Sequence, residues 1–215
     1  MAVTEDETWA IIASERRDLA DAMARFTPEQ WATPSLCEGW TVRVVAGHLT
    51  MPFEMSLPKA MIGVIRHGGN FDKFADVTSR RLAEQTTDAL VHQIRDNADN
   101  HFKPPGGGAG APLTDAVVHG LDMKVPLGLP TERPADHVNA VLDYLMTRAA
   151  TRGFVKKGRV DGLHFVTTDT GWAYGEGPEV SGPGWALALA LTGRPAGLEP
   201  LIGDGVAAFR RRVTA

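Results

Sequence analysis

Cysteine is nearly missing from this chain: Cys37 is the one copy in 215 residues. An internal disulfide and a cysteine-built zinc finger are both excluded, and a reducing, cytoplasmic setting is the simplest expectation. Long apolar runs are missing too. None approaches the ~20 residues that a membrane-crossing helix needs. The N-terminus offers Glu5, Asp6 and Glu7 rather than a basic segment followed by an apolar one, so no signal peptide is expected. Positive charge is not in excess. With 22 Lys and Arg against 26 Asp and Glu, the net charge is −4, and the pI is near 6.0. That leaves no general basic surface and argues against nucleic acid as a partner. No Gly-x-Ser-x-Gly elbow occurs, and no Gly-Lys-Ser/Thr follows the glycines at 106–108, so a nucleophile elbow and a P-loop are absent. No internal repeat stands out.

What is there suits a soluble chain with a real core: 43% of the residues are apolar and 22% charged. The stretch at 34–50 organises it. A turn, P-S-L-C-E-G-W, feeds a helix that Thr41 can cap, because its hydroxyl can accept from a first-turn N–H. Trp40 before the cap and Val45 in the next turn suit a hydrophobic staple. On a helical wheel Val44, Val45, His48, Met51 and Met55 share one face, with Arg43, Ala46, Thr50 and Glu54 roughly opposite. His48 then lies within an apolar face, as a core histidine with one hydrogen bond or as a metal ligand.

Around it the pattern is helical. A capping box at Thr4–Glu7 starts a helix over about 5–25, and Thr27-Pro28-Glu29-Gln30 starts a short second one. The organising helix runs from 42 into the sixties, with Pro52 and Pro58 predicting a kink or break. Helix follows from Phe71 to about Phe102, broken near Thr86. Residues 103–112, rich in Gly and Pro, read as a flexible linker or lid. Helices are expected over 114–127 and 134–152. After a boundary near 151–158 the texture changes. Short strands are expected at 163–168 and 172–174, a Gly/Pro-rich segment at 175–184, an apolar helix at 185–191 and a last helix over 204–213. Arg210, Arg211 and Arg212 suit a helix C-terminus.

The helix at 114–127 holds the second half of the functional case. Asp115, His119 and Asp122 stand at i, i+4 and i+7 and form one stripe flanked by Val118, Leu121 and Val125. The stripe faces inward, where a buried carboxylate is costly unless something supplies positive charge. A divalent metal does so. His48, Asp115 and His119 would give two imidazoles and one carboxylate, the catalytic pattern with an open position. Zinc leads, and nickel or iron also fit such donors. Asp122 is either an acceptor that orients a ligating His, or a partner for an Arg or a helix end. Cys37 reads as a small buried residue or as a thiol near a helix start. His67, His92 and His101 read as surface residues. His137 and His164 have no ligand-spaced partner.

Two stretches, P-S-L-C-E-G-W-T-V-R-V-V-A-G-H-L and D-A-V-V-H-G-L-D-M-K-V-P-L-G, resemble the mycothiol-dependent maleylpyruvate isomerase family of the DinB-like superfamily. The tail G-W-A-Y-G-E-G-P-E-V-S-G-P-G-W-A-L-A-L-A-L-T-G-R-P-A is similar to the C-terminal part of its actinobacterial members. The resemblance implies an α+β, mainly α fold: a metal-binding four-helix bundle over 1–152, then a small α/β domain similar to sterol-carrier domains over 153–215. It places the ligand roles on His48, Asp115 and His119, although the family has Glu where Asp115 stands, so a bridging water could replace direct ligation. It implies a substrate-contacting arginine, with Arg194 or one of Arg210–Arg212 as the candidate. The activity implied is mycothiol-dependent isomerisation or S-transfer. The metal activates the thiol, which adds to a small electrophile. Partners are then a low-molecular-weight thiol and that electrophile, with no nucleic acid or membrane. The oligomeric state is open. The competing reading is a non-enzymatic metal- or ligand-binding, regulatory protein of the same fold.

Overall fold

Local signals place the helices. In the computed structural model, which describes residues 3–104 and 106–215, α1 spans Glu5–Met23. Thr4 Oγ1 accepts from Glu7 N at 3.2 Å, and Glu7 Oε2 accepts from Thr4 N at 2.7 Å, a reciprocal box that satisfies two helix-start donors. The Thr4 backbone N–H, then its hydroxyl, hold the Glu7 carboxyl below the ordinary 4.5. A lowered carboxyl stabilises the fold above its unfolded value and loses that contribution as pH falls through the folded one. Acidification below about 4.5 should therefore fray the start of α1. Amide exchange at Glu7 should quicken in step, and Glu7→Gln should remove most of that pH dependence.

The same logic sets α2 at Pro28–Ala32, with Thr27 and Gln30 forming a second box. Thr41 caps α3 at Val42–Glu54, and Pro52 lies inside it. The break falls at Met55 and Ser56, both extended, and Pro58 takes the first turn of α4 (Leu57–Arg66), where a missing N–H costs little. Asn70 caps α5 (Phe71–Leu82) and Thr86 caps α6 (Thr87–Asp96).

Residues 9–102 and 122–129 form one compact unit. Its core draws Leu19, Ala20 and Met23 from α1, Trp31 from α2, Val42, Val45, Ala46 and Leu49 from α3, and Leu90, Val91 and Ile94 from α6. Met123 adds the end of α7 (Gly110–Lys124). The wheel's polar side of α3 needs correcting. Ala46 and Thr50 are fully buried, because α3 packs against both α5 and α6 rather than lying on one side of a core.

The other unit comprises the described residues of 3–8, 103–121 and 130–215. Pro105, within the expected loop at 103–112, lies outside the described residues. The loop ends earlier than its composition suggests, since α7 already begins at Gly110 and takes Pro112 into its first turn. It also ends earlier than 127, at Lys124, because Pro126 disfavours helix at the residue before it. After α8 (Ala135–Leu145) and a 3₁₀ turn at Ala150–Arg152 come β1 (His164–Thr167), β2 (Ala173–Tyr174) and β3 (Glu179–Gly182). The sheet order is β2-β1-β3, β2 antiparallel and β3 parallel to β1. β3 falls within the Gly/Pro-rich segment at 175–184, for which the sequence names no element. It carries one branched apolar residue, Val180, and its pairing with β1 makes it a strand. α9 (Gly184–Leu191) is apolar all round and packs on α8, β1 and a 3₁₀ turn at Pro195–Leu198. The last helix, α10 (Val206–Val213), sets Phe209 edge-on to Phe165 with ring centres 5.1 Å apart. The result is a mainly helical α+β fold, and no helix among the described residues is long and apolar enough to cross a membrane.

Candidate metal centre

His48 is fixed from three directions. α3 carries it, with Thr41 Oγ1 accepting from Val44 N at 3.4 Å to start the helix. Trp40, just before that cap, donates from Nε1 to Asp76 Oδ1 on α5 at 2.7 Å. Arg80 clamps the same turn: its Nε donates to Asp76 and its Nη2 to the Gly39 carbonyl, both at 2.9 Å. The Trp40 ring centre then lies 5.3 Å from that of His48. His48 Nδ1 is 3.2 Å from Ser79 Oγ, also on α5. The contact restricts the ring angle, and when Nδ1 donates to the Ser79 hydroxyl the Nε2 lone pair is left for ligation.

On α7 the i, i+4 pair stands as the sequence spacing implies. His119 Nε2 is 3.5 Å from Asp115 Oδ1, and both side chains are half-buried. One turn on, Asp122 is fully buried, and its carboxylate accepts from the Cys37 thiol at 3.0 Å. The backbone reinforces that contact, with Leu36 N donating to the Asp122 carbonyl at 3.0 Å. Asp122 thus meets the cysteine of the turn, a partner that neither sequence reading named.

Ligand atoms of His48, Asp115 and His119 all lie within 4.8 Å of one another, as do those of Cys37, His119 and Asp122. Donors ~2.1 Å from a tetrahedral ion stand ~3.4 Å apart, so the wider spacings allowed here would have to close on an ion. Two nitrogens and a carboxylate oxygen, half-buried, also fit a divalent cation chemically. Ser79 and Asp76 were not singled out from the sequence. A signal existed for Ser79: it falls among Phe74, Ala75, Thr78 and Leu82 on the buried face of α5, a serine where an apolar residue would fit the period. His92 and His101 are exposed, and His101 stacks on Trp9. His67 is half-buried, and its Nδ1 lies 2.8 Å from the Gly63 carbonyl.

Arg194 lies in the unit that holds the sheet, at the start of the second 3₁₀ turn, donating from Nη1 to the Thr192 carbonyl at 2.9 Å. Its neighbour in charge is Arg159, a buried guanidinium that donates to the Leu191 carbonyl at 2.9 Å. Burial, and then the Arg194 charge, hold Arg159 below its ordinary range.

A mainly helical chain with a half-buried histidine/carboxylate group of candidate ligands is the class these features define. Residues 12–101 match the family described as the mycothiol maleylpyruvate isomerase N-terminal domain. A solved structure of a mycothiol-dependent maleylpyruvate isomerase is similar over 94% of this chain and 93% of that one, with a TM-score of 0.59 and 12% identity. A histidine-to-alanine mutant of such an isomerase gives the same values. At that identity the likeness shows the fold. No curated protein matches the sequence.

Proposed function

We propose that this protein is a divalent-metal enzyme that uses mycothiol either to isomerise a small electrophile or, as an S-transferase, to add the thiol to it. One observation carries the reading: the ligand atoms of His48, Asp115 and His119 come within 4.8 Å of one another, in a chain whose residues 12–101 match the mycothiol maleylpyruvate isomerase N-terminal domain family. His48 and His119 would supply nitrogen to the cation and Asp115 oxygen, directly or through a water because its side chain is one methylene shorter than glutamate. Zinc suits the set first, with nickel or iron as alternatives. When bound, the cation supplies positive charge that acidifies a thiol, and mycothiol supplies the sulfur that adds to an activated double bond and leaves after rotation about it.

The remaining work falls to the chain's own groups. Ser79 holds the His48 ring, and the Asp76–Trp40–Arg80 cluster holds the turn before it. The indole beside His48 makes one wall apolar, which favours a thiol and an unsaturated acid over bulk water. Arg194 is the proposed contact for a substrate carboxylate, since a guanidinium can take both oxygens at once. A cytoplasmic setting suits such thiol chemistry.

The test is turnover. Supplied with mycothiol and maleylpyruvate, the protein should convert the cis to the trans isomer. Removing metal with a chelator should lower the rate by ~10²-fold or more, with recovery on adding zinc. Metal binding with no thiol-dependent turnover of any unsaturated acid would move the protein to the non-enzymatic reading.

A further inference from the structure

Helix α4 is built inside out. On a helical wheel Leu57, Pro58, Met61, Ile62 and Ile65 share one arc, and Ala60, Gly63 and Val64 share another. A surface helix ordinarily turns its large apolar side chains toward the core. Here the small residues take that side. Ala60, Gly63 and Val64 are half-buried, and α4 packs on α5. A methyl group at Gly63 would stand 2.2 Å from the Phe74 ring of α5, so the close approach fixes which face is inside. Met61 and Ile65 are 65% and 71% exposed, Leu57 and Ile62 are exposed too, and no residue of the helix is buried. Phe71, exposed at the start of α5 with its ring centre 6.2 Å from that of Phe74, adds to the apolar surface. A contiguous exposed patch of this kind marks an interaction site. Its charge is also unlike the rest of the chain. Residues 55–71 hold Lys59 and Arg66 and no acid, although the net charge of the whole is −4. On the wheel these two cations stand together at one edge of the apolar arc.

We propose that the outer face of α4 docks on the surface of an anionic lipid bilayer, with Leu57, Met61, Ile62 and Ile65 entering the acyl boundary and Lys59 and Arg66 meeting the phosphates. An apolar arc edged by Lys and Arg is the pattern of a helix that lies in the plane of a membrane interface. The long basic side chains lay their stems along the apolar surface and keep their charges among the headgroups. A second copy of the chain fits the face less well. A two-fold axis that pairs α4 with itself antiparallel leaves the same edge of both helices on one side. Lys59 and Arg66 of one copy then crowd those of the other, a like-charge contact in a medium that screens it poorly. Parallel pairing sets the two helix dipoles side by side in the same sense. That no described helix can cross a membrane concerns spanning, so the expectation of no membrane partner does not extend to this face. The anchor is one short helix, and attachment through it is reversible.

Flotation of the full chain with lipid vesicles tests this. Vesicles of phosphatidylcholine mixed with phosphatidylglycerol should carry the protein upward at low salt, and added salt should weaken the binding. Each basic residue close to an anionic surface raises partitioning about fivefold, so Lys59→Gln combined with Arg66→Gln should lower it roughly 25-fold. Ile65→Asp should abolish it. These side chains are exposed, so the variants should keep the melting temperature of the parent. A parent protein that stays with the buffer when anionic vesicles are present overturns the proposal. Binding that Ile65→Asp leaves intact also overturns it, because the contact then lies elsewhere. Sedimentation equilibrium reads the competing occupant. A dimer of the parent that Ile65→Asp dissociates, without vesicle binding, gives the face to a second copy and overturns the lipid reading. Turnover judges the isomerase reading separately, and either can fail alone.

Discussion

Protein carrying His119→Ala is expected to be purified without bound divalent metal, while the parent chain holds it. His119 is the one residue common to both ligand groups, so its loss leaves only a two-ligand remnant of each. His48→Ala should lower metal content as well, since it removes one of the two nitrogens of the proposed set. Ser79→Ala touches no ion. It removes the contact at His48 Nδ1, and such a supporting partner accounts for ~10–100-fold in metal affinity. The exposed His92 on α6 serves as the control, and His92→Ala should leave metal content unchanged. Elemental analysis of protein purified without added metal reads all four. Stability gives an independent readout. A ligand at one hundred times its dissociation constant stabilises the native state by about 2.7 kcal/mol, so zinc should raise the melting temperature of the parent and leave that of His119→Ala unmoved. Equal metal content in parent and His119→Ala would sink the metal centre.

The reason so much of that argument could be made from the sequence is that its parts are local. Thr4, Thr27 and Thr41 each announce a helix start, and α1, α2 and α3 begin one residue after them, while the break read near Thr86 is where α6 begins. The i, i+4 relation of Asp115 and His119 is a property of any helix that contains both. What escaped depends on contacts between segments distant in sequence. β3 exists because β1 runs beside it, not because Glu179–Gly182 has strand character of its own. Ala46 and Thr50 read as the outer side of α3 because a wheel assumes one buried face, and α5 on the second side overrides that. Ser79, Asp76 and the Cys37–Asp122 contact are side chains that matter only once α5 and the 34–40 turn are folded into place. In the comparisons the N-terminal segment, where the local signals are dense, matches a family across 12–101, whereas likeness over nearly the whole chain comes at the level of fold.

The approach of α5 to α3 also makes one glycine the most sensitive position near the centre. Gly47 precedes His48, and a methyl group there would stand 2.5 Å from the Ser79 carbonyl oxygen and 2.8 Å from the Ala83 amide nitrogen. Both obstacles are backbone, so no side-chain rotation can clear them. The helices must separate or α3 must turn. Overpacking of this kind costs ~1–3 kcal/mol and sometimes more. Gly47→Ala gains about 0.5–1 kcal/mol from helix propensity, which offsets part of that cost. Gly47→Val loses most of that gain and adds bulk, so it is the stronger test. A net loss of ~3 kcal/mol in a chain of this size lowers the melting temperature by roughly 6–12 °C. The site should respond as well, because any movement of α3 away from α5 lengthens the His48–Ser79 contact, now 3.2 Å. Metal affinity should then fall even at temperatures where the variant remains folded, by up to the ~10–100-fold assigned to Ser79 itself. Gly153→Ala is the matched control, because a methyl group there meets nothing within 4 Å and its φ is negative. A Gly47→Val protein that melts with the parent and binds zinc equally well would mean that α3 and α5 do not pack as described, and the fixed orientation of His48 would go with them.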